Sequence, residues 1–307
     1  LIRKTALILS FILFMLLAAR SVTHGSAAPQ TEVCGQIAAN TTWTVAGSPY
    51  VICGTFQATI LPGATLTIEP GVQVEFEANG ELNVEGGLNA VGSPTEPITF
   101  TGSTPTPGLW GGIVVNQYST QLAVANLDWV ILEYGGSNSG TGAQLFIDNG
   151  VVTMTNSIVR DGGGYGVFVN HDLHPQITDT LFQGNGKDAI GMVGASSDLR
   201  FHNLTAVGNN LDVIRIEGNS NMPGDHIWQN AGIPYLFAGS ASNQTGDTLT
   251  IEPGTLIKFG SSTGLYIGGS LEAVGLPGQS ITFTGQTATP GTWNGIQLEG
   301  TASSDAM

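Results

Sequence analysis

Positive charge is what this sequence has least of. Lysine and arginine together number 8 in 307 residues, against 23 acidic residues, so the formal net charge is −15. A duplex nucleic-acid binder needs cations to displace phosphate counterions, and that class is excluded. Charged residues of both signs make up only 10%, where ordinary soluble domains carry about 25%. Coiled coils and helical bundles, built from Ala, Glu, Lys, Leu and Arg, are excluded with them. The longest apolar stretch, 6–19 with one serine, has 14 residues, short of the ~20 that cross a bilayer. Disorder is excluded by a hydrophobic content of 41%. What is abundant is glycine, 44 residues, about twice the usual ~7%. The glycines keep no three-residue period, so the chain is not collagen.

Residues 1–27 have the layout of a secretory signal peptide. Arg3 and Lys4 precede the apolar run, Arg20 ends it, and the small residues Gly25, Ser26, Ala27 and Ala28 follow. Cleavage after Ala27 fits, and the competing reading is an uncleaved N-terminal anchor. Removal of this segment leaves five cations against 23 acids, a net charge of −18, which repels polyanions unless divalent cations bridge them. Cys34 and Cys53 are the only cysteines. In an oxidising compartment such a pair reads as a disulfide. A redox or metal role has no C-x-x-C and no nearby histidine to support it.

The strongest signal is an internal repeat. Residues 65–113 (TLTIEPGVQVEF to TPGLWGGI) and 248–296 (TLTIEPGTLIKF to TPGTWNGI) align at an offset of 183 without a gap, with 27 of 49 positions identical. Trp43 to Tyr50 likewise matches Trp228 to Tyr235. One architectural unit and the start of another therefore divide the chain at 28–224 and 225–307. Whether the second continues the same solenoid or begins a separate one stays open.

Within a unit, apolar residues alternate: Leu66, Ile68; Val72, Val74, Phe76; Leu82, Val84. Period two is the pattern of strands with one face buried. Turn signals, Glu69-Pro70-Gly71 and Pro107-Gly108 among them, separate the strands. The strands recur in sets. Leu66 to Leu88 is 22 residues, Val74 to Ile98 is 24, and Leu82 to Trp110 is 28. Tyr165, Ala189 and Val213 follow at 24 and 24, and Asn156, Asp179 and Asn203 at 23 and 24. Three short strands per coil of about 22–24 residues predict an all-β parallel β-helix. The 280 residues after Ala27 would form about 12 coils.

With its downstream GGLNAVGSPTEPITFTG and WGGI, the TLTIEPGVQVEF string resembles bacterial exported right-handed parallel β-helix repeat proteins. The resemblance spans nearly all of residues 40–300. It implies a right-handed β-helix, a secreted or cell-surface location, and further coils beyond residue 307. It is uninformative about activity, which in that family is mostly unassigned. The leucine at position 1 and the stop soon after the second Trp-x-Gly-Ile strand suggest a fragment.

Parallel β-helices host polysaccharide lyases, polygalacturonases and epimerases, so a catalytic set is a live alternative. The most polar stretch holds Arg160, Asp161, His171, Asp172, His174, Lys187 and Asp188, with Arg215 one coil further on. Asp161, Asp172, Lys187, Asp188 and Arg215 are the catalytic candidates, as carboxylates, bases and cation-binding groups. The competing reading makes the regularly spaced Asp and Asn residues structural caps of turns. The polygalacturonase-like series is missing, and Arg215-Ile216-Glu217 echoes only its end, with glutamate where lysine belongs. His171 and His174 read as an exposed loop, and no Gly-Gly-x-Gly-x-Asp nonapeptide supports calcium. No cofactor is expected, and calcium stays open without a motif to support it. Trp43, Trp110, Trp228 and Trp293 are fixed in pairs by the repeat and read as edge covers. Trp129 and Tyr134 are unpaired and are the better carbohydrate-binding candidates. Asn40, Asn203 and Asn243 carry weak glycosylation triplets.

Two functions follow. The first is a structural, adhesive or carbohydrate-binding scaffold whose partners are polysaccharide or cell-surface components. The second is an enzyme acting on acidic polysaccharide, which requires the five catalytic candidates to meet in one groove.

Overall fold

A computed structural model describes residues 30–117, 120–137, 142–170, 175–194 and 199–299. The expected signal segment, His171, Asp172 and His174 lie outside the described residues. Thr65–Ile68, Gln73–Phe76 and Glu81–Val84 are strands in which alternate side chains are buried. Each pairs in parallel with the strand one coil later: Leu66 with Leu88, Val74 with Phe100, Leu82 with Ile113. Repetition of this step makes a parallel β-helix. Its faces are a seven-stranded sheet (the first face), an eight-stranded sheet (the second face) and an eleven-stranded sheet (the long face), visited in that order. The described residues include no helix long and apolar enough to cross a membrane.

The core is a set of columns. Along the long face Leu82, Ile113, Leu145, Val167, Ile190, Ile214, Tyr235 and Ile257 stack in register, all buried. Aromatic rings extend the stacking, Phe76 on Trp110 at 3.8 Å and Trp43 on Tyr50 at 4.6 Å. Trp43, Trp110 and Trp228 are buried, and Trp293 lies against Phe259 at 5.0 Å. Trp43, Trp110 and Trp228 therefore close coils from inside rather than at a solvent edge, and Trp293 is partly buried. Cys34 and Cys53 form the expected disulfide, tying the first two coils together.

Several expected spacings are corrected. Val74 pairs with Phe100, not Ile98, and Leu82 with Ile113, not Trp110. The extra residues leave the ladder as turns at 92–97 and 103–111, where the glycines and prolines sit. Val167, not the neighbour predicted by counting from Tyr165, lies under Ile190. The Asn156, Asp179 and Asn203 series is in register, because Ile158, Leu181 and Thr205 pair two residues further on.

The second copy stacks directly on the first. Tyr235–Phe237 pairs with Ile214–Ile216 below and with Leu256–Phe259 above, so the long face runs through. The second face ends at Thr205–Val207 and the first at Phe201–His202. A four-stranded sheet begins at Ser220–Met222 and a three-stranded sheet at His226–Trp228. The copies occupy different faces. Gln73–Phe76 lies in the second face, while its duplicate Leu256–Phe259 lies in the long face. Glu81–Val84 lies in the long face, and its counterpart Leu265–Ile267 in the four-stranded sheet. The second unit is thus set on the first with a rotation of one face about the solenoid axis.

Candidate functional site

Two corners of the β-helix require left-handed backbone. Where the first face turns into the second, Trp129, Asn156, Asp179 and Asn203 form a column with φ of 52°, 49°, 49° and 53°. Where the second face turns into the long face, Tyr134, Asp161, Gly184 and Gly208 form another, with φ of 64°, 53°, 64° and 71°. Asn, Asp and Gly adopt this conformation cheaply, whereas bulky side chains do so at a cost of about 1 kcal/mol. Asn156 donates to the Asp128 side chain at 2.9 Å and Asn203 to that of Asp179, so the Asx members are held by side-chain hydrogen bonds. Trp129 and Tyr134 break the pattern. They flank a single strand, Val130–Glu133, and both remain partly exposed. About 16 Å of extended backbone separates them.

The outward side of that strand carries a polar cluster. Arg160 donates through Nε and Nη2 to Glu133 Oε2 at 2.9 and 2.7 Å, and the Thr101 hydroxyl donates to Glu133 Oε1 at 2.9 Å. Asp161 Oδ2 is 3.8 Å from Arg160 Nε, and its side chain is 44% exposed. Burial raises the Asp161 carboxyl above its ordinary range, Arg160 opposes the shift, and Glu133 adds to it. Burial also raises Tyr134, helped by the charges of Glu133 and Asp161. Beside Glu133, Ile131 and Ile158 follow each other in register on the same outward surface.

A second cluster lies past the corner, on the outer side of the long face. Phe146 and Phe168 stack with centroids 6.0 Å apart, and Tyr165 leans on Phe168 at 5.1 Å. The next residue in their row is Gly191, where a Cβ would fall 2.7 Å from Phe168 and 2.8 Å from Tyr165. Beyond it stands Arg215. Arg215 Nε lies 2.9 Å from Glu217 Oε1 without the alignment of a hydrogen bond, and Nη1 lies 3.8 Å from Asp188. The Tyr165 hydroxyl donates to Glu217 at 2.9 Å, and Lys187 Nζ sits 5.0 Å over the Tyr165 ring. Burial and that hydrogen bond raise the Tyr165 phenol well above its ordinary value. Asp188 is buried and accepts from Asn210 at 2.8 Å.

Of the five catalytic candidates, Lys187, Asp188 and Arg215 come together. Asp161 belongs instead to the Glu133–Arg160 cluster, because the left-handed turn at 161 leaves it on the second-face side of the corner. Asp172 lies outside the described residues. Sequence reasoning missed Glu133, Tyr165 and Glu217. Glu133 is visible only as the neighbour of Tyr134, and Tyr165 and Glu217 meet across 52 positions. The described residues contain no group of three His, Cys, Asp or Glu arranged to hold a metal ion. Asn185 is buried and fully engaged, accepting from Gly162 and Gln144 and donating to Val159 and Asn209, a structural role. Asn243 is buried likewise, its amide donating to Asp247 and Ser270 carbonyls, so its triplet is no glycosylation site.

Comparison with known proteins agrees with this architecture. Residues 35–147 match the pectate-lyase-like β-helix domain family. The β-helix domain so defined holds Trp129, Glu133 and Tyr134, and the Lys187–Arg215 cluster lies beyond it. A stretch of 59 residues, 19% of this chain, is 42% identical to Protein bark beetle of Drosophila melanogaster. It covers 2% of that protein's length. No solved structure matches the chain.

Proposed function

We propose that the protein is an exported β-helix scaffold that binds saccharide on its second face, between Trp129 and Tyr134. The observation that carries this is the placement of two partly exposed aromatics at left-handed corners of one strand. The coils above use Asn, Asp or Gly there. Aromatic rings supply the stacking surface that sugar rings need, with Glu133, Arg160 and Asp161 as hydrogen-bonding groups beside Tyr134. Export is supported by the Cys34–Cys53 disulfide, which persists in oxidising compartments. The test is pull-down and titration of the purified chain with insoluble and soluble polysaccharides. Trp129→Ala with Tyr134→Ala should weaken the ligand at least tenfold, and equal retention by the double variant sinks the proposal.

A catalytic reading draws on one observation, the meeting of Lys187, Asp188 and Arg215. Their geometry favours structure over chemistry: Asp188 accepts from Asn210, Glu217 accepts from Tyr165, and Arg215 sits between the two carboxylates. Appearance of unsaturated-uronate absorbance with pectin or alginate, abolished by Lys187→Ala, would reverse that judgement.

A further inference from the structure

We infer that the saccharide bound between Trp129 and Tyr134 is neutral and not a polyuronate; this rests on the binding role proposed above. Without a bridging divalent cation, strong recognition of a uronate draws on a protein cation whose charge is still available. The described residues hold five cations: Arg160, Lys187, Arg200, Arg215 and Lys258. On the strand between the two aromatics only Arg160 is within reach. Its Nε and Nη2 are already engaged by Glu133 through two hydrogen bonds to one oxygen, and Asp161 Oδ2 lies 3.8 Å from the same Nε. With two carboxylates and one guanidinium, this patch carries a net charge of about −1. Across the corner, Arg215 stands between Glu217 and Asp188, and Lys187 lies over Tyr165, so the neighbouring cluster adds no positive field. The chain as a whole is at −15. A sugar carboxylate would have to displace Glu133 from a partly buried, doubly hydrogen-bonded ion pair or approach against this field. A neutral sugar would stack its ring and donate its hydroxyls to Asp161, whose carboxylate accepts only.

The experiment compares neutral hexaoses (gluco-, xylo- and manno-) with hexagalacturonate by titration calorimetry at low and at physiological salt. At least one neutral hexaose should bind tenfold or more tightly than hexagalacturonate at low salt. The gap should narrow as salt screens the repulsion, because the Debye length falls from about 30 Å at 0.01 M to about 8 Å at 0.15 M. Asp161→Asn removes a negative charge at a position whose left-handed backbone asparagine tolerates. It should shift the ratio of affinities toward the uronate by about tenfold, the equivalent of ~1.4 kcal/mol. Hexagalacturonate binding as tightly as the neutral sugars, or a ratio unmoved by Asp161→Asn, overturns the inference while leaving saccharide binding intact. Failure of every hexaose overturns the binding role as well.

Discussion

Glu81 shows how a single side chain couples this fold to pH. It stands at the start of strand Glu81–Val84 on the outer side of the long face, and the next coil passes it at Gly111 and Gly112. A Cβ on Gly111 would lie 2.8 Å from Glu81 Oε2, so the carboxyl is covered by backbone that has no side chain of its own. Burial raises its pKa above the ordinary glutamate value of 4.5, and only a hydrogen bond with Asn83 opposes the shift. The folded chain therefore holds this proton to higher pH than the unfolded chain does. Stability is greatest with the carboxyl protonated and falls as pH rises from the unfolded pKa through the raised folded one. Glu81→Gln mimics the protonated form. Its gain in melting temperature over the parent should be larger at pH 7 than at pH 4, and an equal gain at both would contradict the shift. Nothing in the sequence marks Glu81, because its neighbour Gly111 is 30 positions away and is brought beside it by a coil of irregular length.

Corners and strands differ in how much they disclose. The strands are legible because one face is buried, so inward Leu66, Ile68, Val74 and Phe76 impose period two. The register is less so, since turns at 92–97 and 103–111 absorb variable numbers of residues without disturbing the ladder. The first corner column is legible in part: Asn156, Asp179 and Asn203 recur at the coil period because left-handed backbone favours them. Trp129 breaks the composition but not the geometry, so it can be found only once the column is seen in space. Trp129→Asn restores the residue type of the three coils above. It should leave the free energy of unfolding within about 1 kcal/mol of the parent, since relief of left-handed strain offsets lost ring packing. Saccharide affinity should still fall at least tenfold. A large loss of stability, measured by equilibrium urea titration, would instead make Trp129 a packing residue and remove it from the proposed site.

At the scale of the whole molecule, the duplication and the solenoid are separate facts. The offset of 183 reveals that residues 248–296 repeat 65–113. It does not reveal which face each repeated strand joins, because the choice is made by the path between Ile216 and Tyr235. That path passes through Ser220–Met222 and His226–Trp228 and returns to the long face with no strand of the second face. One sheet therefore crosses the junction, pairing Ile216 with Phe237, and within the second copy a run of rings, Trp228 to Phe237 to Phe259 to Trp293, stacks at 4.8, 5.6 and 5.0 Å. In a solenoid, stability is a sum of coil and nearest-neighbour terms, so a weak interface separates what lies on either side of it. Phe237 is fully buried in the first coil of the second copy. Phe237→Ala should cost about 3–5 kcal/mol, and the cost should fall on one side. Hydrogen exchange read by mass spectrometry should quicken over 248–285 and remain at the parental rate over 73–192. Equal acceleration on both sides would mean that the two copies unfold as one cooperative unit despite the change of face.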